Sequence, residues 1–290
     1  MNIACLKCFV LLSILVLFLP GCQQEQAPLP DKEGLVEANA AYIRHFGVLD
    51  RAKEGRAYAN VGYLPLKAAP GQVDALPIFL FSPENRLEKV LQKLVSGDLV
   101  QTQKTIFHNP FPADLELIVH REEGGILPLD LRTGQVWNDV DRKGAVAALV
   151  ETALQFDAVK GVKISFNGRT LPEMPYNGYR HDPGAIAETR PPMLLLMAGS
   201  WEPGEADPEE LLVEFDRPVR LNRFDLFYED GRKVEGDYYT SIFQMAVVVH
   251  PQRPAEFHEG MPLRADWSVI DFVGRENSGS DLLPLQRFDH

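Results

Sequence analysis

The chain has 290 residues, 45% of them hydrophobic and 9% aromatic, enough apolar material for one large folded domain or two modest ones. Its 29 Lys and Arg stand against 41 Asp and Glu, a net charge of −12 at pH 7. So acidic a chain lacks the basic surface that displaces counterions from nucleic acid, and anionic lipid headgroups repel it, so neither is expected as a direct partner.

The first element is a signal segment. Lys7 precedes the apolar run Phe9–Leu19, which ends in Leu19-Pro20-Gly21-Cys22. A basic start, an apolar core and a small-residue cleavage site make a secretory signal, and the run is shorter than the ~20 residues a spanning helix needs. The end of this segment resembles the bacterial lipobox in Leu19, Gly21 and Cys22, whereas Pro20 departs from it. The resemblance implies removal of residues 1–21 as a lipoprotein signal peptide and a lipid on Cys22, palmitate included. Ordinary secretion with a stray cysteine remains the alternative. Cys5 and Cys8 lie in the segment removed, so Cys22 would be the mature chain's one cysteine, and its acylation excludes a disulfide or thiolate metal site. No cofactor beyond that covalent lipid is expected.

Residues 22–75 read as a tether and N-terminal segment. Gln23 to Glu33 are polar and proline-bearing, without hydrophobic period. Gln23, rather than Asp, beside the cysteine favours the periplasmic side of the outer membrane where the source has two membranes. Residues 34–58 place Leu35, Val36, Tyr42, Ile43 and Phe46 loosely at helical spacing.

Residues 76–171 predict a mixed domain. Leu76–Phe81 is a short strand; Ser82-Pro83 starts a helix whose stripe is Leu87, Val90, Leu91, Leu94 and Val95, closed by Gly97. Strands follow at Thr105–His108, Leu115–Val119 and Ile126–Leu131. A second helix is expected after Gly144, with Val146, Leu149, Val150, Ala153 and Leu154 on one stripe, then the strand Val162–Phe166 and an Asn167-Gly168 turn. Residues 172–189, with Pro172, Pro175 and Pro183, read as a linker. From 190 to 290, short strands at Met193–Met197, Leu211–Phe215, Phe224–Tyr228, Met245–Val249 and Ala265–Ile270 alternate with turn residues, as in a β-sandwich. The expected fold class is an α+β domain followed by an all-β Ig-like sandwich.

Residues 76–171 resemble the GerMN domain, a module of bacterial envelope proteins. The carrying pieces are Ile78–Val95, Ile126–Leu131, and Ala148–Leu154 leading to Val159-Lys160-Gly161-Val162 and Asn167-Gly168. Asn109-Pro110-Phe111-Pro112 stands where that family typically has a leucine-proline-glycine loop. The final hundred residues resemble the Ig-like shape of the CopC copper-chaperone family in Leu212–Val219, Glu229–Arg232 and Ala265–Asp271. Phe272-Val273-Gly274-Arg275 replaces the stretch that supplies a histidine ligand there, so the resemblance implies the shape without the copper. GerMN modules are regarded as non-catalytic, and no active-site residue carries over.

The candidate chemistry is thin. The mature chain's histidines are not at helical ligand spacing, so no metal residues are assigned. Asp139 to Gly144 imitates the start of a calcium loop, but Lys143 and Val150 occupy ligand positions, and a turn before the second helix is expected. Glu202, Glu205, Asp207, Glu209 and Glu210 form an acidic loop able at most to hold a weak calcium ion. The candidate binding surface is Tyr176, Tyr179 and Arg180 on a proline-fixed loop, with Tyr238 and Tyr239; the competing reading packs these tyrosines between the domains. The functional expectation is a non-catalytic, membrane-anchored envelope lipoprotein, held by acyl chains, that binds an envelope protein or peptidoglycan. A periplasmic hydrolase of glycan or peptide and a CopC-like metal binder are the alternatives.

Overall fold

The computed structural model describes residues 34–49, 56–101, 106–241 and 243–289, so Cys22, the signal segment and the tether lie outside the described residues. The architecture is the predicted one, an α+β unit followed by a β-sandwich built from one curled sheet.

The N-terminal region departs from its helical reading. Leu35–Ala38 form β1, Ala40–Phe46 form α1 and Arg56–Pro65 form β2. Asn39 caps α1, its Oδ1 accepting from the Tyr42 amide at 2.8 Å. Helical spacing held only for the turn that buries Tyr42 and Phe46. The residues around it form strands: β2 is buried along nearly its whole length, with β1 parallel on one side and β3 (Val73–Leu80) antiparallel on the other.

Two helices follow the predicted stripes but start elsewhere. The first, α2, spans Arg86–Val95, because Ser82 bonds locally to Glu84 instead of capping and Asn85 turns left-handed at φ 53°. After the short α3 (Asp98–Gln101) and strands β4 (Glu116–Val119) and β5 (Ile126–Arg132), α4 runs from Asp139 to Leu154. The supposed turn 139–144 is therefore its first turn, capped by Asn138, whose Oδ1 accepts from the Asp141 amide at 2.9 Å. Gly144 sits within the helix because an added Cβ would lie 3.0 Å from Pro65 Cγ. Strand β6 (Gly161–Phe166) then pairs parallel to β5, and β7 (Arg169–Thr170) returns through Asn167 and Gly168, at φ 49° and 74°.

Beyond the end of β1, side chains from the last turn of α4 and from the residue capping it continue the edge of β2. The Gln155 amide accepts from Val61 N at 2.8 Å and donates to Val61 O at 2.6 Å, while Thr152 Oγ1 accepts from Tyr63 N at 3.0 Å. A side-chain amide thus replaces a strand neighbour, so this buried backbone is satisfied.

The sandwich contains β8 (Leu194–Trp201), β9 (Glu210–Phe215), β10 (Val219–Tyr228), β11 (Gly236–Thr240), β12 (Ala246–Pro251), β13 (Pro262–Asp271) and β14 (Glu276–Asp289). The sheet order is β10-β13-β14-β8-β9-β12-β11. The long β14 serves both layers: its first part is antiparallel to β13, and from Leu285 it runs parallel to β8. The layers meet face to face where Phe215 of β9 contacts Trp267 of β13, ring centroids 5.4 Å apart at 78°. Strands β11 and β14 have no apolar period to announce them. Early β14 is polar, and Gly279, in register with Trp267, leaves room for the indole that a Cβ at 2.9 Å would crowd.

Both modules belong to one compact unit, residues 33–290. Their seam carries three arginines and three aspartates. Asp74 of β3 accepts from Arg190 Nε at 2.8 Å; Asp216 holds Arg217 through Nη2 at 2.7 Å and Nε at 3.1 Å; Asp271 accepts from Arg275 Nε at 2.6 Å. Arg217 is 1% exposed and also donates to the Arg190 carbonyl at 2.7 Å, while Arg275 Nη2 reaches the His45 carbonyl at 2.6 Å. Burial opposes the charge on Arg217, but Asp216, Asp74 and Asp271 outweigh it and its pKa is raised. Phenylalanines flank these charges: Phe79 of β3 stacks on Phe243 at 3.9 Å and 6°, and Phe272 packs against the α+β core. Tyr179 and Tyr238 instead pack on the separate cores of their own modules.

Removing Arg217 strands buried carboxylates, so Arg217→Met should destabilise the chain by about 3–5 kcal/mol, read as a lowered urea midpoint. A second consequence concerns acid. His45 bonds Tyr63 Oη at 2.9 Å, and burial pushes its pKa down to about 4, with Asp74 opposing and Arg44, Arg275 and Arg217 adding. Its folded pKa lies below its unfolded value of about 6.5, so its stabilising share is complete above that pH and is lost as pH falls toward 4, at most about 3 kcal/mol. His45→Phe should flatten the stability profile between pH 6.5 and 4 relative to the parent in urea titrations at several pH values.

Candidate binding surface

The segment between the modules is a strap pinned across α4. Leu171 and Ala187 anchor its ends in the α+β core. Tyr179 exchanges backbone bonds with Val162 at 2.8 and 3.0 Å, and the Ala187 amide donates to Val73 O at 2.8 Å. Between these points, buried Glu151 takes both remaining contacts: Oε2 meets His181 Nδ1 at 2.6 Å, and Oε1 accepts from the Asp182 amide at 2.9 Å. Asp182 in turn accepts from Gly184 N at 2.9 Å, starting a short turn at Pro183.

Two clefts flank the strap. One of about 280 Å³ is lined by Arg44, Tyr63, Gln155, Asp157 and His181, with Glu151 at its wall. The other, of about 210 Å³, is lined by Lys143, Val146, Val150, Glu173, Tyr179 and Arg180. Arg180 is held over this second cleft by its bond to the Lys160 carbonyl. Tyr176 stands 92% exposed nearby, its ring 5.8 Å from Lys163 Nζ. Burial raises the Tyr179 pKa, Glu173 adding to the effect and Arg142 opposing it. This face therefore offers a half-buried aromatic, an exposed aromatic and several cations around a small apolar floor.

Tyr238 and Tyr239 line a different cleft, of about 320 Å³, with Leu221, Arg223 and Phe224. They point to opposite faces of β11. Tyr238 donates to Val234 O at 2.6 Å, and burial pushes its pKa up to about 12. Tyr239 donates to Glu210 Oε1 at 2.7 Å, and that bond, with burial, pushes its pKa up to about 12 as well. The structure thus gathers Tyr176, Tyr179 and Arg180 and sets the other two tyrosines on the sandwich.

Glu151 was not singled out from the sequence, although a carboxylate inside the apolar stretch Leu149 to Ala153 was the available signal. The histidines have structural company: His108 meets Asp141 at 2.6 Å and His250 meets Glu210 at 3.3 Å. Among the described residues no three His, Cys, Asp or Glu side chains are placed to share a metal ion, and no helix is long and apolar enough to cross a membrane. Glu151→Ala should free the strap, costing about 1–3 kcal/mol in stability and speeding amide hydrogen exchange across residues 178–184, as mass spectrometry would show.

Comparison with known proteins bears on the α+β unit. Residues 65–172 match the family model described as "Germane: Sporulation and spore germination". The first GerMN domain of the sporulation protein GerM from Bacillus subtilis is 24% identical, covering 43% of this chain and 93% of that domain with a TM-score of 0.34. The tandem GerMN domains of the same protein are 17% identical, covering 61% of this chain and 58% of theirs, with a TM-score of 0.35. PcoC, a methionine-rich copper resistance protein from Escherichia coli, is 16% identical and covers 33% of this chain and 100% of its own, with a TM-score of 0.25. No curated protein matches the chain. Over residues 65–172 the α+β unit thus carries the match to the Germane family model.

Proposed function

We propose that this is an extracytoplasmic lipoprotein, held to a membrane by acyl chains on Cys22, whose two modules bind an envelope protein or peptidoglycan without turning over a substrate. The signal segment and lipobox resemblance support the anchor, and Gln23 favours the outer membrane in a two-membrane cell. The observation that carries the binding reading is the pinned strap. It fixes Tyr179 and Arg180 beside a cleft and presents Tyr176 to solvent, the residue types that anchor interfaces. The same pinning disfavours a hydrolase: both oxygens of Glu151 hold the strap, leaving exposed Asp157 as the other carboxylate at that cleft. A tether of polar residues and a rigid body raise effective concentration near the membrane, so modest affinity suffices.

Two experiments test this reading. Cys22→Ser should move the protein from the membrane to the soluble extracytoplasmic fraction without changing its unfolding midpoint; persistence in the membrane would refute the lipid anchor. A photoreactive residue at Tyr176 should crosslink in cells to one recurrent envelope protein or to peptidoglycan. Cleavage of peptidoglycan fragments by the purified protein would instead establish the hydrolase.

A further inference from the structure

The sandwich has a second set of apolar side chains, on the face turned away from its core. An antiparallel sheet with one solvated face alternates apolar and polar residues, but β12 begins Ala246-Val247-Val248-Val249 and β8 begins Leu194-Leu195-Leu196-Met197-Ala198. Val247 and Val249 enter the sandwich core, which leaves Ala246 and Val248, only 6% and 4% exposed, on the opposite face as the floor of a groove. Cross-strand register sets Ala246 beside Glu214 and Val248 beside Leu212 of β9. Together with Phe243 and Met245 these residues line a groove of about 560 Å³, within the size range of ligand sites. Phe243 extends it toward Phe81, which lies 6.0 Å away and is 75% exposed.

Glu214 is the anomaly in this groove. Among the described residues it has no hydrogen-bond or ion-pair partner, whereas Glu210 nearby is engaged by Tyr239 and His250. Burial raises its pKa, the sign of a carboxylate held in apolar surroundings at a cost to the fold. A cation with an apolar stem would relieve that cost.

We propose that this groove docks an extended basic segment of a partner protein, a lysine or arginine side chain lying along Leu212, Val248 and Phe243 with its charge on Glu214. Charge selects the occupant. A second copy of this chain carries a net charge of −12, and its own tether brings Glu25, Asp31 and Glu33 against Lys32. An extended segment fits because β11 ends the sheet order beside the groove and offers an edge for strand addition. This site goes beyond the strap surface and does not depend on it or on the anchor.

The test uses the full-length chain in nanodiscs of zwitterionic lipid. The probe is a labelled nonapeptide with lysine alternating between threonine and valine, read by fluorescence anisotropy against its glutamate counterpart. The lysine peptide should bind and the glutamate peptide should not. Glu214→Gln should weaken binding at least ~10-fold while raising Tm, because it removes an unpaired carboxylate. A Glu214 with a merely structural role would lower Tm on the same change. Absence of lysine-peptide binding, equal binding by Glu214→Gln, or equal binding of the acidic peptide overturns the proposal. So does a concentration-dependent dimer that Ala246→Arg abolishes, which would place a second copy in the groove.

Discussion

Three arginines and three aspartates at the seam hold this chain in one shape. Taking six charges from water is costly, and the seam tolerates it because each carboxylate meets a guanidinium at hydrogen-bond distance. The partners come from different places: Asp74 from the α+β sheet, Arg190 from just past the strap, Asp216 and Arg217 from the β9–β10 turn, Asp271 from the end of β13 and Arg275 from the turn after it. Asp216 pairs with Arg217 and Asp271 with Arg275 within the sandwich, while the Asp74–Arg190 pair joins it to the α+β sheet. Docking is thereby tied to one register, with Phe79 on Phe243 as the apolar complement.

The seam also explains small features around it. Gly47, at φ 78°, closes α1 where any Cβ would strike Phe272 at 2.6 Å, so the first helix and the β13–β14 turn meet backbone to side chain. Arg275 stands in the stretch that, by resemblance to copper-binding domains, would supply a histidine. Here Asp271 accepts from Arg275 Nε and from the Val273 and Arg275 amides, which locks this turn onto the His45 carbonyl. The turn serves docking between the modules.

The rigid frame gives the surfaces their character. The strap is fixed at Val162, Glu151 and Val73, so its aromatic and basic residues face outward without an entropic cost at each encounter. On the sandwich, β12 carries apolar side chains on both its faces, and among the described residues Glu214 beside it has no partner.

Much of the fold was legible along the chain. The stripe Leu87 to Val95, the alternation Val162-Ile164-Phe166 and the Asn-Gly turn are local patterns, and local patterns survive folding. Helix starts were not legible: Asn138 caps α4 ahead of the start expected after Gly144, and Ser82 bonds Glu84 instead of capping α2. Strands β11 and β14 were invisible because their pairing is set by neighbours, as Gly279 under Trp267 shows. The candidate tyrosines were found by type, but their grouping on two separate clefts depended on which strand or strap carried each.

The sequence by itself determined the two-module order, the GerMN pattern, the acidic balance and the motif around Cys22, because each is written in adjacent residues. Tertiary structure alone decided that Asp74, Arg190, Arg217 and Arg275 meet, that Gln155 stands in for a strand, and that Glu151 and Glu214 have opposite fates. Those outcomes join residues tens to hundreds of positions apart, and the worth of a charge depends on burial and on its partner, neither of which a linear pattern specifies.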